Sequence, residues 1–106
     1  MRRGEIWTAS GSGDYAPVVV VQEDRFSGTA SITICAFTTD PTEAPLLRLP
    51  ILPDAENGLR ESCRLMIDKV TTMPKAKLGK RIGRLSDDDM QRVNQALVVF
   101  LGIAGR

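Results

Sequence analysis

The chain contains no histidine. That removes imidazole acid–base catalysis and every histidine-containing zinc site. Cysteine is nearly as scarce, with only Cys35 and Cys63, each inside an apolar stretch. Two thiols cannot build a cysteine-only zinc site. Their setting reads as small buried hydrophobes in a reducing compartment, not as a disulfide or a nucleophile. Trp7 and Tyr15 are each the only residue of their kind. Neither charge is in excess: 14 Lys and Arg stand against 13 Asp and Glu, for a net charge of +1. This balance excludes a strongly basic nucleic-acid coat and leaves a local basic groove open. No paired-acid spacing falls on a predicted strand, so no metal and no cofactor are expected, although distant carboxylates can still converge on magnesium. No stretch approaches the ~20 apolar residues that span a bilayer. Glu5, Trp7 and Thr8 interrupt any apolar signal core. The expectation is a cytoplasmic protein with no membrane association.

What is present is a series of short β-rich segments. The 106 residues suit one compact domain, 1–106. Arg3-Gly4-Glu5-Ile6-Trp7 opens a strand, and Pro17-Val18-Val19-Val20-Val21 is too short and too β-branched for a helix. The pattern predicts strands near 4–9, 17–22, 30–38, 46–51, 62–68, 69–73 and 80–85. Gly, Pro, Asn and Asp clusters separate them. Short strands at this spacing favour a small antiparallel barrel over a parallel sheet. Ser86-Asp87-Asp88-Asp89 then reads as a helix start, with Ser86 as N-cap and three carboxylates on the positive end of the dipole. Met90, Val93, Leu97, Phe100 and Leu101 form one apolar stripe, and Gly102 is a stop. Val98, Val99 and Ile103 widen the stripe toward a second packing surface, such as a partner subunit. Trp7 is expected in the barrel core.

Several ordered pieces resemble one family. They are the Gly-Glu-Ile-Trp opening, the Pro-led valine strand, Ile34-Cys35-Ala36-Phe37-Thr38-Thr39, Asn57-Gly58-Leu59, Met66-Ile67-Asp68-Lys69-Val70-Thr71, and Lys80-Arg81-Ile82-Gly83-Arg84-Leu85 before an acidic-capped helix. The set resembles the MazF/PemK/Kid toxins, small endoribonucleases from toxin–antitoxin pairs. The resemblance implies a mainly β fold with a C-terminal helix, an SH3-like antiparallel barrel of the CcdB/PemK type. It implies a homodimer, a cognate antitoxin that inserts an acidic segment, and metal-independent cleavage of single-stranded RNA.

RNA supplies its own nucleophile, since a 2′-OH can attack the adjacent phosphate and leave a cyclic phosphate and a 5′-OH. The protein has to align the chain, move protons and stabilise phosphate charge. The resemblance places the family's strand-ending hydroxyl at Thr38, with Thr39 beside it. Read without it, these are two β-formers at a strand end. The family's Arg-Pro is Ala16-Pro17 here, so another cation must serve phosphate or cleavage is impaired. Arg64 is the expected substitute, and Arg25 the second candidate. Strand alternation puts Ser62, Arg64, Met66 and Asp68 on one side, so Asp68 is expected to hold Arg64 or meet a base. The bland reading is an exposed Arg–Asp pair. Asp14 and Tyr15 in the first loop are expected to hold bases. Lys69 begins a run with Lys75, Lys77, Lys80, Arg81 and Arg84 that holds no acid. It can track RNA, bind an acidic antitoxin tail, or simply be a solvated face. A gyrase poison of the CcdB type is the alternative, although Phe100-Leu101-Gly102-Ile103 lacks the tryptophan of that family's Trp-Gly-Ile ending. A catalytically weakened, antitoxin-binding homologue is a third possibility.

Overall fold

The computed structural model describes residues 1–9 and 15–103. Seven strands precede one helix: β1 (Glu5–Ala9), β2 (Pro17–Val20), β3 (Ser31–Thr38), β4 (Arg48–Ile51), β5 (Cys63–Met66), β6 (Thr71–Pro74), β7 (Leu78–Arg84) and α1 (Asp87–Phe100). Every expected strand is present, with ends within two residues of those read from the pattern. The main correction is at 67–69, where the chain leaves the sheet in a 3-10 turn, Ile67–Lys69. Asp68 therefore does not continue the alternation of β5.

The sheet is antiparallel, in the order β4-β5-β3-β2-β1-β7. Strand β3 is long enough to serve two partners on one edge. Its C-terminal end pairs with β5, and its N-terminal half pairs with β6. Strands β4 and β7 end the path, so hydrogen-bonded strand pairing does not complete a barrel among the described residues. The segment after β4 fills the gap instead. The Arg84 N–H donates to the Glu56 carbonyl at 2.9 Å. A Cβ on Gly83 would collide with the Glu56 and Asn57 backbone, and one on Gly58 with the Ile82 carbonyl. Gly58 also has φ +68°, a region that penalises side chains. Glycine at both positions lets two backbones touch where a strand pair would otherwise be.

The two faces of the sheet bury different residues, as a period of two requires. One face packs Ile6, Val19, Cys35, Leu49, Leu65 and Ile67 under α1. The other packs Val18, Val20, Ile32, Ile34 and Leu78. Trp7 borders this second cluster half-buried, and its indole N–H donates to Glu5 Oε1 at 3.1 Å. The core expectation for Trp7 is thus met only in part, because its polar edge needs a partner.

Helix α1 begins as its sequence dictates. The Ser86 hydroxyl accepts from the Asp89 N–H at 3.1 Å. Val93 and Ala96 are buried, with Met90 and Leu97 packed beside them. Phe100 and Leu101 depart from the predicted stripe, being 40 % and 55 % exposed. Past Leu97 no residue of the helix is buried among the described residues. Val98, Val99 and Ile103 are exposed as well. No helix among the described residues is long and apolar enough to cross a membrane.

Candidate functional site

A cleft of about 400 Å³ opens at the end of the sheet where β2 begins and β3 finishes. Tyr15, Ala16 and Pro17 form one wall, and Phe37, Thr38 and Thr39 another. Leu59, Glu61 and Cys63 close it. Antiparallel pairing brings the first two walls together, since the β2–β3 ladder sets Val18 opposite Ala36. The third wall is brought in by the segment packed against β7.

Thr38 ends β3 with a usable hydroxyl. Its Oγ1 accepts from the Asp40 N–H at 3.1 Å. Among the described residues its own hydrogen has no acceptor, so it remains free to donate. Arg64 is the cross-strand neighbour of Thr38, and directly opposed residues share a face. The expected Thr38–Arg64 juxtaposition is therefore present. The guanidinium is already engaged, however, donating to Glu43 Oε1 at 2.8 Å and to the Asp40 carbonyl at 3.2 Å. The Asp40 carboxylate accepts two hydrogen bonds from Thr42, which lower its pKa, and its charge is also felt by Arg48 and Arg64.

Asp68 does not hold Arg64. It makes a two-pronged bridge to Arg48, at 2.8 and 3.1 Å. Those hydrogen bonds hold the Asp68 carboxyl below the ordinary value and Arg48 above its own. The 3-10 turn after β5 carries Asp68 toward β4, where Arg48 stands opposite Met66. Lys69 follows in the same turn, exposed and off the cleft wall. Arg25 lies in a 3-10 turn beyond the far end of β2, over the ring of Phe26 at 5.6 Å. Strand β3 runs from that end to Thr38, about 25 Å for its eight residues. Arg25 is thus removed from the set that meets at Thr38. Asp14 lies outside the described residues.

The basic run does not form one strip. Arg81 pairs with Glu5 and Arg84 with Asp87. Lys75 donates to the Ser27 carbonyl. Only the start of β7, with the Lys80 N–H on Thr8 Oγ1 at 3.1 Å, lies at the cleft end of the sheet.

Glu61 and Cys63 of the cleft wall, and Arg60 beside it, went unmarked in the sequence as site residues. Tyr15 and Arg60 form a unit in which the Arg60 guanidinium lies 4.0 Å from the Tyr15 ring centroid and the Arg60 N–H donates to the Tyr15 hydroxyl at 3.2 Å. The two are 45 positions apart, and no local pattern announces such a contact. The Cys63 thiol is pushed up to about 11, first by burial and then by the charge of Glu61. Burial likewise raises Cys35 to about 11. Both cysteines are free thiols. Among the described residues no group of three or more Cys, Asp or Glu is placed to hold a metal ion.

Comparison with known proteins gives this geometry a family. The model of PemK-like, MazF-like toxins of type II toxin–antitoxin systems matches residues 2–101. A curated relative named "Probable endoribonuclease MazF", from Mycolicibacterium smegmatis, is 53 % identical over 99 % of this chain and all of its own length. A mycobacterial endoribonuclease solved in complex with its cognate antitoxin superposes with a TM-score of 0.81. It is 21 % identical and covers 100 % of this chain and 99 % of that one. The MazE–MazF structure (Form II) from Deinococcus radiodurans gives a TM-score of 0.80 at 18 % identity, with 98 % and 97 % covered. The family match over nearly the whole chain, together with the strand order and the hydroxyl-lined cleft, places this chain among the PemK-like, MazF-like toxins of type II toxin–antitoxin systems.

Proposed function

We propose that the protein is a toxin that acts as an endoribonuclease on single-stranded RNA. The observation that carries this reading is the cleft at the end of β3. A donating threonine there stands directly across from an arginine, on a chain 53 % identical to a relative named as an endoribonuclease. Thr38 donates to an oxygen of the reacting phosphate, with Thr39 beside it. Arg64 adds positive charge once phosphate draws it from Glu43. Glu43 is 79 % exposed although Arg64 is only 22 % exposed, so phosphate competes for the guanidinium against a solvated carboxylate.

The 2′-oxygen forms a bond to phosphorus as the bond to the 5′-oxygen breaks. Net, one proton leaves the 2′-oxygen and one reaches the 5′-oxygen, so no water is consumed. Products are a 2′,3′-cyclic phosphate and a 5′-OH. In-line geometry requires a strand that can be splayed, which a stacked A-form duplex resists. A cognate antitoxin with an acidic segment inhibits by occupying the same cleft end. A second copy of the chain covers the exposed apolar end of α1, where Val99, Leu101 and Leu46 are 53 %, 55 % and 69 % exposed.

Incubation with a long single-stranded RNA in EDTA, followed by end mapping, tests the activity. Discrete cuts bearing 5′-OH ends are expected, with cleavage falling at least tenfold in Thr38→Ala at unchanged melting temperature. Intact RNA would refute the reading, and trapped gyrase–DNA complexes would replace it with a CcdB-type poison. Intact RNA with tight antitoxin binding would mark a weakened homologue, which Ala16 makes a specific concern.

A further inference from the structure

None of the arginines so far placed near the cleft is free to meet phosphate at rest. Arg64 is held by Glu43 and the Asp40 carbonyl, Arg48 is held by Asp68, and Arg25 is at the other end of β2 and β3. Ala16 puts no charge on the cleft wall. A phosphate whose charge grows in the transition state is served best by fixed donors already in place. Arg60 has that property. Among the described residues its guanidinium has no carboxylate and no hydrogen-bond acceptor, and its resting contact is the Tyr15 ring at 4.0 Å. Tyr15 is itself a cleft wall, next to Ala16.

We propose that Arg60, which stands beside the cleft wall against the outer part of Tyr15, is a phosphate-binding arginine for this cleft and that Tyr15 is the residue that positions it. The proposal rests on the endoribonuclease reading and adds to Arg64 a second arginine that has no partner to give up among the described residues.

The physical case rests on how the arginine is held. A guanidinium stacked on a ring keeps all five N–H donors in its plane, pointing away from the ring face. The ring contact at 4.0 Å thus holds the guanidinium without using its donors. The Arg60 N–H bond to the Tyr15 hydroxyl, 3.2 Å, ties the backbone of one partner to the far end of the other. Backbone and side chain of Arg60 therefore meet two parts of one aromatic residue, its hydroxyl and its ring. The segment that delivers Arg60 is anchored just before it by the buried Asn57 and by Gly58 against β7. An unpaired arginine on a loop loses side-chain entropy when it binds, whereas one laid on a ring has lost much of it beforehand. Lysine at the same position has neither the flat stack nor the two-pronged grip on phosphate.

Two readouts test this, and they separate failure of the proposal from failure of the activity. The first is binding of a short single-stranded oligonucleotide with 2′-deoxyribose at every position, which cannot be cut, followed by fluorescence anisotropy over a salt series. Arg60→Ala is expected to weaken binding about tenfold and to lower the salt slope by about 0.7, the share of one phosphate contact on a single strand. The second is kcat for RNA cleavage, expected to fall roughly 10²- to 10³-fold in Arg60→Ala, with Arg60→Lys recovering only a small part. Arg60 is exposed, so both variants should keep the wild-type melting curve. Tyr15→Leu should reproduce most of the loss, and the Tyr15→Leu, Arg60→Ala double variant should lose little more than Arg60→Ala alone. Tyr15→Phe keeps the stack and should retain most activity.

If Arg60→Ala binds and cuts like wild type with an unchanged salt slope, the proposal is overturned while the endoribonuclease reading stands. If wild type binds the oligonucleotide but cuts nothing, the binding arm still decides on Arg60. No binding by wild type overturns the proposal, and the endoribonuclease reading falls with it only if RNA also stays intact. Additive losses in the double variant remove Tyr15 from its positioning role.

Discussion

The segment that carries Arg60 hangs on one buried polar side chain, so Asn57 is the place to perturb. Asn57 is fully buried. Its Oδ1 accepts from the Asp54 N–H at 3.1 Å and the Leu59 N–H at 3.0 Å, and its Nδ2 donates to the Leu52 carbonyl at 2.8 Å. Asn57→Ala removes all three bonds at once. Each is worth about 1 kcal/mol net, and a group left buried without a partner costs more. The expected loss is thus about 3 kcal/mol. That is a large part of the roughly 5–15 kcal/mol that a domain of this size has. A domain of about 100 residues loses ~4–8 °C per kcal/mol, so the melting temperature should drop by roughly 12–24 °C. Asp54→Ala is the comparison. The Asp54 carboxylate also caps this turn, taking the Glu56 and Asn57 N–H groups at 2.8 Å, but Asp54 is exposed and water can replace it. Its loss should cost about 1 kcal/mol. Differential scanning calorimetry and urea titration of both variants decide the matter. If Asn57→Ala melts within 4 °C of wild type, or if Asp54→Ala costs as much, burial is not what makes this contact valuable. Cleavage by Asn57→Ala, assayed well below its melting point, should also fall, because the arginine downstream is no longer held against Tyr15.

Further expectations concern backbone contact, acid and thiol chemistry. Gly83→Ala should cost about 1–3 kcal/mol through collision with the Glu56 and Asn57 backbone, whereas Gly28→Ala, with nothing within 4 Å of its new carbon, should shift the urea midpoint negligibly. The Arg48 hydrogen bonds lower the Asp68 pKa, so the bridge contributes in full above the ordinary carboxylate range near pH 4 and is lost as pH falls through the depressed folded value. Urea midpoints of wild type and Asp68→Asn should therefore differ at neutral pH and converge in acid, and a constant gap would count against the bridge. Cys63, raised to about 11 by burial and by Glu61, should be alkylated by iodoacetamide far more slowly in the native protein at pH 8 than in urea. Glu61→Gln should speed the reaction, and an unchanged rate would show that the Glu61 charge does not reach the thiol.

Local physics made much of this molecule readable. A serine before three aspartates starts a helix because its hydroxyl can take an orphan N–H. A glycine at φ +72° follows its end because a side chain there is penalised. Alternation placed Leu65 inside and Arg64 outside, and the β3–β5 register followed in setting Arg64 opposite Thr38. The helix stripe failed past Leu97 because periodicity gives a face but not how much of that face the rest of the chain covers.

The chain order of residue types thus determined the strands, the helix, the absence of imidazole chemistry and the strand-ending threonine, all of which depend on neighbours within a few positions. Only the tertiary structure decided which charges meet. It paired Asp68 with Arg48 across 20 positions and Arg64 with Glu43 across 21, and laid Arg60 on Tyr15 across 45. Charged side chains are long and interchangeable in sequence, so their partners are chosen by the turns and backbone contacts that bring distant segments to one end of the sheet.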